Sequence, residues 1–200
     1  MLVTADSTGH GVPGAIMSIL NIACLNEAVK EGYKLPNEIL NRTREEVIKV
    51  LQRDGSAEGG KDGMDCSVCV YDFKNMMLWV AAANNPVWIV KNSGTEALEV
   101  HEIKPDKMPV GKHDKQDIPF KLQRMKLQKG DVIYTLTDGF PDQFGGADGK
   151  KFKVKRLREL LVSIANLPLS EQHQILETTF KNWVGSHEQI DDVTIIGVRV

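Results

Sequence analysis

Ala5 to Ala15 reads ADSTGHGVPGA: one acid, Asp6, set among small residues where a short apolar strand, Met1 to Thr4, gives way to a helix. Two later stretches repeat that setting. In Tyr134 to Asp142, YTLTDGFPD, and in Gln189 to Val198, QIDDVTIIGV, an Asp again stands where an apolar strand meets a turn. A buried carboxylate costs several kcal/mol unless something pairs with it, and no Arg or Lys lies within five residues of Asp6 or Asp138. Two readings stay open. Each acid can cap its own turn, since Asp-Gly and Asp before a Gly-rich bend are ordinary turn sequences. Alternatively the three share a hard cation such as Mg²⁺ or Mn²⁺, and the small residues after Asp6 let the Ser7 carbonyl reach the same ion.

Outward from the first stretch, Pro13 suits the first turn of a helix. Ile16, Met17, Ile19, Leu20, Ala23, Cys24 and Val29 cover most of its circumference, so the helix is expected to be buried on more than one side. Gly32 ends it. Pro36 opens a second helix to about Gln52, with Leu40, Val47 and Leu51 as a narrow apolar stripe that places it on a surface. Asp54 to Gly63, DGSAEGGKDG, reads as a mobile loop without the Lys-Ser or Lys-Thr ending of a nucleotide-binding loop. From Met64 the texture changes to strands: 64–73, 76–83, 87–91, 97–103, 118–126 and 131–137, joined by turn-type segments at 72–75, 84–86 and 92–94 and expected as an antiparallel meander. Helices follow near Val154 to Ile164 and Ser170 to Trp183, with Ser170 as N-cap, and a β-branched strand from Asp192 closes the chain. No internal repeat or linker divides residues 1–200, which are read as one domain.

Composition narrows the function. The 200 residues suffice for one domain able to bury roughly 70% of its unfolded surface. With 42% apolar and 26% charged residues and a net charge of -2, nothing draws the chain to nucleic acid or anionic lipid. The apolar stretch at 15–29 is interrupted by Ser18, Asn21, Asn26 and Glu27, which argues against a bilayer span and membrane contact. No signal peptide is recognisable, so cytoplasmic residence is the default. Three cysteines, Cys24, Cys66 and Cys69, make no disulfide framework, and an i, i+3 pair on a strand points to opposite faces, so Cys66 and Cys69 are expected as buried, inert thiols. Asp65 and Ser67 face away from the row of Met64, Cys66 and Val68 and either border a site or form a wet face. Trp79, Trp88 and Trp183 read as core, and His101, His113, His173 and His187 as peripheral.

The chain resembles the metal-dependent serine/threonine phosphatases of the PPM (type 2C) superfamily, in the bacterial branch typified by the stage II sporulation protein E phosphatase domain. Asp6-Ser7-Thr8-Gly9-His10-Gly11 matches D-x-S/T-G-H-G. Gly130-Asp131 and Thr137-Asp138-Gly139 match the G-D then T-D-G strand, and Asp191-Asp192-Val193-Thr194 the terminal D-D-x-T. Asn84-Asn85-Pro86 and Met108-Pro109-Val110-Gly111 sit where the branch has its N-P turn and P-L-G segment. The resemblance implies an α+β fold in which two antiparallel sheets pack as a sandwich with helices on the outer faces. It also implies a centre of two Mn²⁺ or Mg²⁺ ions, with Asp6 bridging both, the Ser7 carbonyl on the second, and Asp138 and Asp191 on the first. Gly9, His10, Gly139, Asp142 and Asp192 are possible supporting residues. Asp191 is preferred to Asp192 because the family acid is the first of the pair. For His10, a structural role at the turn is preferred to that of general acid.

The implied function is hydrolysis of phosphoserine or phosphothreonine by a metal-activated water in a bacterial signalling partner. Analogy points to a STAS-domain anti-anti-sigma factor, with sensor domains upstream. Family domains carry further strands and another acidic ligand before D-x-S/T-G-H-G, whereas this sequence starts five residues before Asp6. Truncation of the N-terminal strands and an incomplete second metal site are therefore expected, and a catalytically incomplete fragment or pseudophosphatase serving as a binding module is the alternative.

Overall fold

The computed structural model describes residues 1–53, 62–91 and 98–200. Residues 54–61 of the loop expected over 54–63, the turn at 92–94 and the start of the strand at 97 lie outside the described residues, and Gly63 belongs to a strand instead. In chain order the elements are β1 (Leu2–Ser7), α1 (Gly11–Lys30), α2 (Pro36–Arg53), β2 (Gly63–Asp72), β3 (Met77–Ala83), β4 (Val87–Lys91), β5 (Glu99–Ile103), β6 (Val110–Gly111), β7 (Gln123–Lys126), β8 (Val132–Leu136), α3 (Gly139–Asp142), β9 (Phe144–Gly145), β10 (Lys150–Lys151), α4 (Val154–Ile164), α5 (Leu169–Val184) and β11 (Ile195–Arg199). They fall into two compact units, Met1–Val87 with Ile103–Leu127 and Trp88–Glu102 with Gln128–Val200. Antiparallel sheets and helices make this a mixed α+β fold.

In the first unit the strand order is β1-β2-β3-β7, with β6 also paired to β2, and each of these pairings is antiparallel. Helix α2 buries Leu40 and Val47 of its expected stripe, with Leu51 half-buried, and Ile39 and Leu40 join Met64, Cys66, Val68, Ala81 and Ala83 of the sheet in one cluster. Burying each of the larger aliphatic side chains contributes about 1.5–3 kcal/mol. Arg42 on the outer side bridges Glu31 and Glu46.

Helix α1 departs from expectation. Only Gly14, Met17, Asn21, Cys24 and Ala28 are buried, a single stripe at helical spacing, while Val12, Ile16, Ile19 and Ile22 are exposed. Composition without an apolar period could not say which face would be covered. The helix also has the length and composition to cross a bilayer, contrary to the reading of its polar interruptions. Ser67 is likewise buried, not wet, because β2 is closed to solvent on both faces at its centre.

The expected meander is two sheets. After β3 the chain passes to a second sheet, ordered β11-β8-β4-β5, in which β11 and β8 are antiparallel. The strand expected over 118–126 shrinks to β7. Residues before it are turned back by backbone hydrogen bonds from Gln116 to His113 and from Ile118 to Lys115, and are tied to α2 by Arg44 on the Ile118 carbonyl and by Phe120 N–H on Asn41.

The second unit has an aromatic core of Trp88, Tyr134, Phe140 and Phe152, with Phe180 and Trp183 packed against it. Helix α4 occupies the expected residues. Helix α5 starts one residue before Ser170, and its cap is Pro168, whose carbonyl accepts the N–H groups of Glu171 and Gln172. The closing strand begins only at Ile195. Short α3 and the β9–β10 hairpin had no periodic signal to announce them.

Candidate active site

Asp6 is the penultimate residue of β1 in the first unit. Its register partner on β2 is Asp65, so the two acids leave the same face of the sheet directly opposite each other. Asn84 Nδ2 donates to Asp65 Oδ1 at 2.8 Å from a left-handed backbone, φ 58, which Asn tolerates. Burial pushes the Asp65 carboxyl up from its ordinary range, while the Asn84 hydrogen bond and the Lys107 charge pull it down. Of the two readings open for Asp65, bordering the candidate ligand is the one its place in the register supports.

The turn after Asp6 is clamped. Thr8 N–H donates to the Gly63 carbonyl at 3.0 Å, and Gly63 N–H returns a bond to Thr8 Oγ1 at 3.0 Å. Buried Asn21 reaches back from α1, its Nδ2 donating to Ser7 Oγ at 3.0 Å and to the Gly63 carbonyl at 3.1 Å. Gly9 adopts φ 90, and a Cβ on Gly14 would stand 2.4 Å from the Gly9 carbonyl oxygen, so the first turn of α1 folds against the bend only because Gly14 has no side chain. His10 is the exposed N-cap of α1, and its side chain makes no capping hydrogen bond. Asn21 was visible in the sequence only as an interruption of an apolar run.

Asp138 and Asp191 belong to the second unit, where each offers a carboxylate oxygen within 4.8 Å of the other. Asp138 leads from β8 into α3, and its carbonyl accepts the Asp142 N–H. Asp191 lies in 188–194, a segment with no helix or strand of its own. Thr137 holds that segment on one side: its Oγ1 donates to the Asp192 carbonyl at 3.3 Å and accepts the Thr194 N–H at 3.0 Å. A Cβ on Gly139 would come 2.2 Å from the Asp192 carbonyl, so the acidic segment passes directly over a glycine. Asp192 N–H donates to the Asp191 carboxylate at 2.8 Å. Asp142 is engaged elsewhere, by Lys151 at 2.8 Å.

Two carboxylates this close repel one another, and a donor set made wholly of oxygen suits a hard divalent cation. Thiol chemistry is absent from the arrangement. Cys66 and Cys69 are buried, and burial pushes both thiols up, Cys69 to about 12. Both stay protonated at neutral pH. At the opposite end of β8 from Asp138, Asp131 is fully buried against Lys91 at 2.7 Å, which fixes the start of the strand.

Comparison with known proteins supplies the family. No curated protein matches the chain. Among solved structures, the SiaA-PP2C domain of Pseudomonas aeruginosa is 29% identical with a TM-score of 0.86, covering 99% of this chain and 74% of that one. The PP2C phosphatase domain with a fragment of the regulatory domain of SpoIIE from Bacillus subtilis is 13% identical with a TM-score of 0.75, covering 99% of this chain and 53% of that one. The catalytic domain of the serine/threonine phosphatase PstP, in complex with two manganese ions, is 15% identical with a TM-score of 0.61, covering 98% and 85%. The fold is therefore that of PP2C phosphatase domains. The family model of stage II sporulation protein E (SpoIIE) matches residues 1–200, and the chain belongs to that family.

Proposed function

We propose that this chain is a divalent-metal-dependent phosphoprotein phosphatase acting on phosphoserine or phosphothreonine. The observation that carries the proposal is the approach of the Asp138 and Asp191 carboxylates to within 4.8 Å at the ends of β8 and of the segment before β11. Asp138 and Asp191 would hold a Mn²⁺ or Mg²⁺ ion, and in the first unit Asp6 and the Ser7 carbonyl are the candidate further donors. When bound, such ions supply Lewis acidity toward a phosphoryl oxygen and an acidified water as nucleophile.

The chain's own residues place and support the donors. Asn21 and Thr8 fix the bend that carries Asp6 and Ser7, and Gly9 and Gly14 keep side chains out of it. No serine or cysteine is needed as nucleophile: Ser18 Oγ is committed to the Gly14 carbonyl at 2.9 Å, and the strand thiols are buried. His10 is exposed beside the bend, and the role proposed for it is structural, at the start of α1.

A signalling substrate fits the company the chain keeps, since one similar structure is that of a cell fate determinant. A small regulatory phosphoprotein, such as a STAS-domain anti-anti-sigma factor, is the proposed partner. The test is Mn²⁺-dependent hydrolysis of p-nitrophenyl phosphate, wild type against Asp138→Asn, with calorimetry of Mn²⁺ binding alongside. The variant should lose at least about a hundredfold in rate, as expected when a ligand to a catalytic ion goes. A wild type that neither hydrolyses the ester nor binds Mn²⁺ sinks the proposal.

A further inference from the structure

Gln143 is fully buried, and two of its three amide hydrogen bonds go to one stretch of chain, 188–190. Its Nε2 donates to the Glu188 carbonyl at 2.9 Å and to the Phe144 carbonyl at 2.9 Å, and its Oε1 accepts the Ile190 N–H at 3.2 Å. Its backbone carbonyl accepts Trp183 Nε1–H and Phe152 N–H, both at 3.0 Å, so the residue is itself held in place by the aromatic core. Gln143 follows Asp138 by one short helix, and Ile190 immediately precedes Asp191.

These bonds bear on the acid pair. Residues 188–194 form no helix or strand, and apart from the Thr194 carbonyl, which accepts the Thr137 N–H at 3.0 Å, their buried or half-buried backbone groups need side-chain partners. Thr137 supplies them downstream of Asp191, at Asp192 and Thr194, and Gln143 supplies them upstream, at Glu188 and Ile190. Both anchors flank Asp138 in sequence. The backbone that carries Asp191 is thus tied to the residues flanking Asp138 by two polar clasps, one on each side.

We infer that Gln143 is a positioning residue for the metal centre: its amide sets where Asp191 stands relative to Asp138. This rests on the proposed function above. A residue that orients ligands through the backbone acts on metal affinity, whereas one that only fills the core acts on stability. The fold contains its own control. Gln172 on α5 is equally buried, donates to the Ala165 and Leu167 carbonyls at 3.2 and 2.9 Å, and accepts from Tyr134 at 2.7 Å, so it makes the same number of amide bonds to other parts of the unit.

The experiment is Mn²⁺ titration by calorimetry of the whole chain carrying Gln143→Leu or Gln172→Leu, at a temperature where circular dichroism shows each to be folded, with Tm measured for both. Gln143→Leu should raise the Mn²⁺ Kd about tenfold or more, the usual effect of removing a group that orients metal ligands, while Gln172→Leu should lower Tm and leave Kd within about twofold. If Gln143→Leu does not fold, Gln143→Glu replaces it. It keeps an oxygen for Ile190 N–H but sets a carboxylate against the Glu188 and Phe144 carbonyls, and should also weaken Mn²⁺ binding. A wild-type Kd in the folded Gln143 variant, or an equal loss in Gln172→Leu, overturns the inference while the site stands. A wild type that binds no Mn²⁺ overturns the proposed function, and the inference with it.

Discussion

Around Asp6 the path of the chain is set by backbone, through a strand register that puts it opposite Asp65, a left-handed Gly9 and a helix turn admitted by the missing side chain of Gly14, with Thr8 and Asn21 clamping the bend so formed. Around Asp138 and Asp191 it is shaped by side chains, with Thr137 and Gln143 bonding an irregular segment that has no ladder of its own. The cores beneath match this division. Small residues, Ala28, Ala81, Ala83 and Cys66, let elements approach closely in the first unit, while Phe140, Phe152 and Trp183 make a stiff floor in the second. An acid can be held by steric exclusion or by polar bonds, and the two should fail under different substitutions.

The largest effect should come from Lys91→Met, which removes the cation facing a wholly buried Asp131 in the second unit. Breaking such a pair costs about 3–5 kcal/mol, read as a lower urea midpoint. A loss under about 1 kcal/mol would break the contrast, because polar side-chain links would then not be what fixes that unit. Next comes Gly14→Ala, which drives a Cβ against the Gly9 carbonyl in the first unit. A backbone atom cannot swing aside, so about 2–3 kcal/mol should be lost in the same titration, although alanine is the better helix former. A neutral or stabilising result would mean that the bend yields and that its shape is not steric. Smallest is Lys151→Ala, which removes the half-exposed link to Asp142 and should cost less than about 1 kcal/mol. That outcome sharpens the contrast, since it shows that burial, not the number of links, gives the second unit its dependence on side chains.

Much of this was readable in the sequence, for reasons that differ by element. Helix α4 and the stripe of α2 have clear periods, and the buried Cys66 and Cys69 follow from strand alternation together with the preference of free thiols for cores. Asp138 and Asp191 stand out as isolated acids where apolar strands meet turns. The covered face of α1 was not legible, because a helix apolar nearly all round carries no phase. Nor was the sheet change after β3, since a turn at Asn84-Asn85-Pro86 serves a hairpin or a crossing equally well. Gln143 lies deepest in this respect: a polar residue between a proline turn and a glycine pair reads as surface, and only tertiary contact buries it.

The three buried thiols give the first unit a chemical clock. Cys24 lies on α1, and Cys66 and Cys69 lie on the two faces of β2, with burial pushing every one of them above its ordinary range. An alkylating reagent can react only when the structure around a given thiol opens, so the rate at each position measures how often the helix lifts or the strand frays. Mass spectrometry of a labelling time course would separate the three rates without any introduced probe.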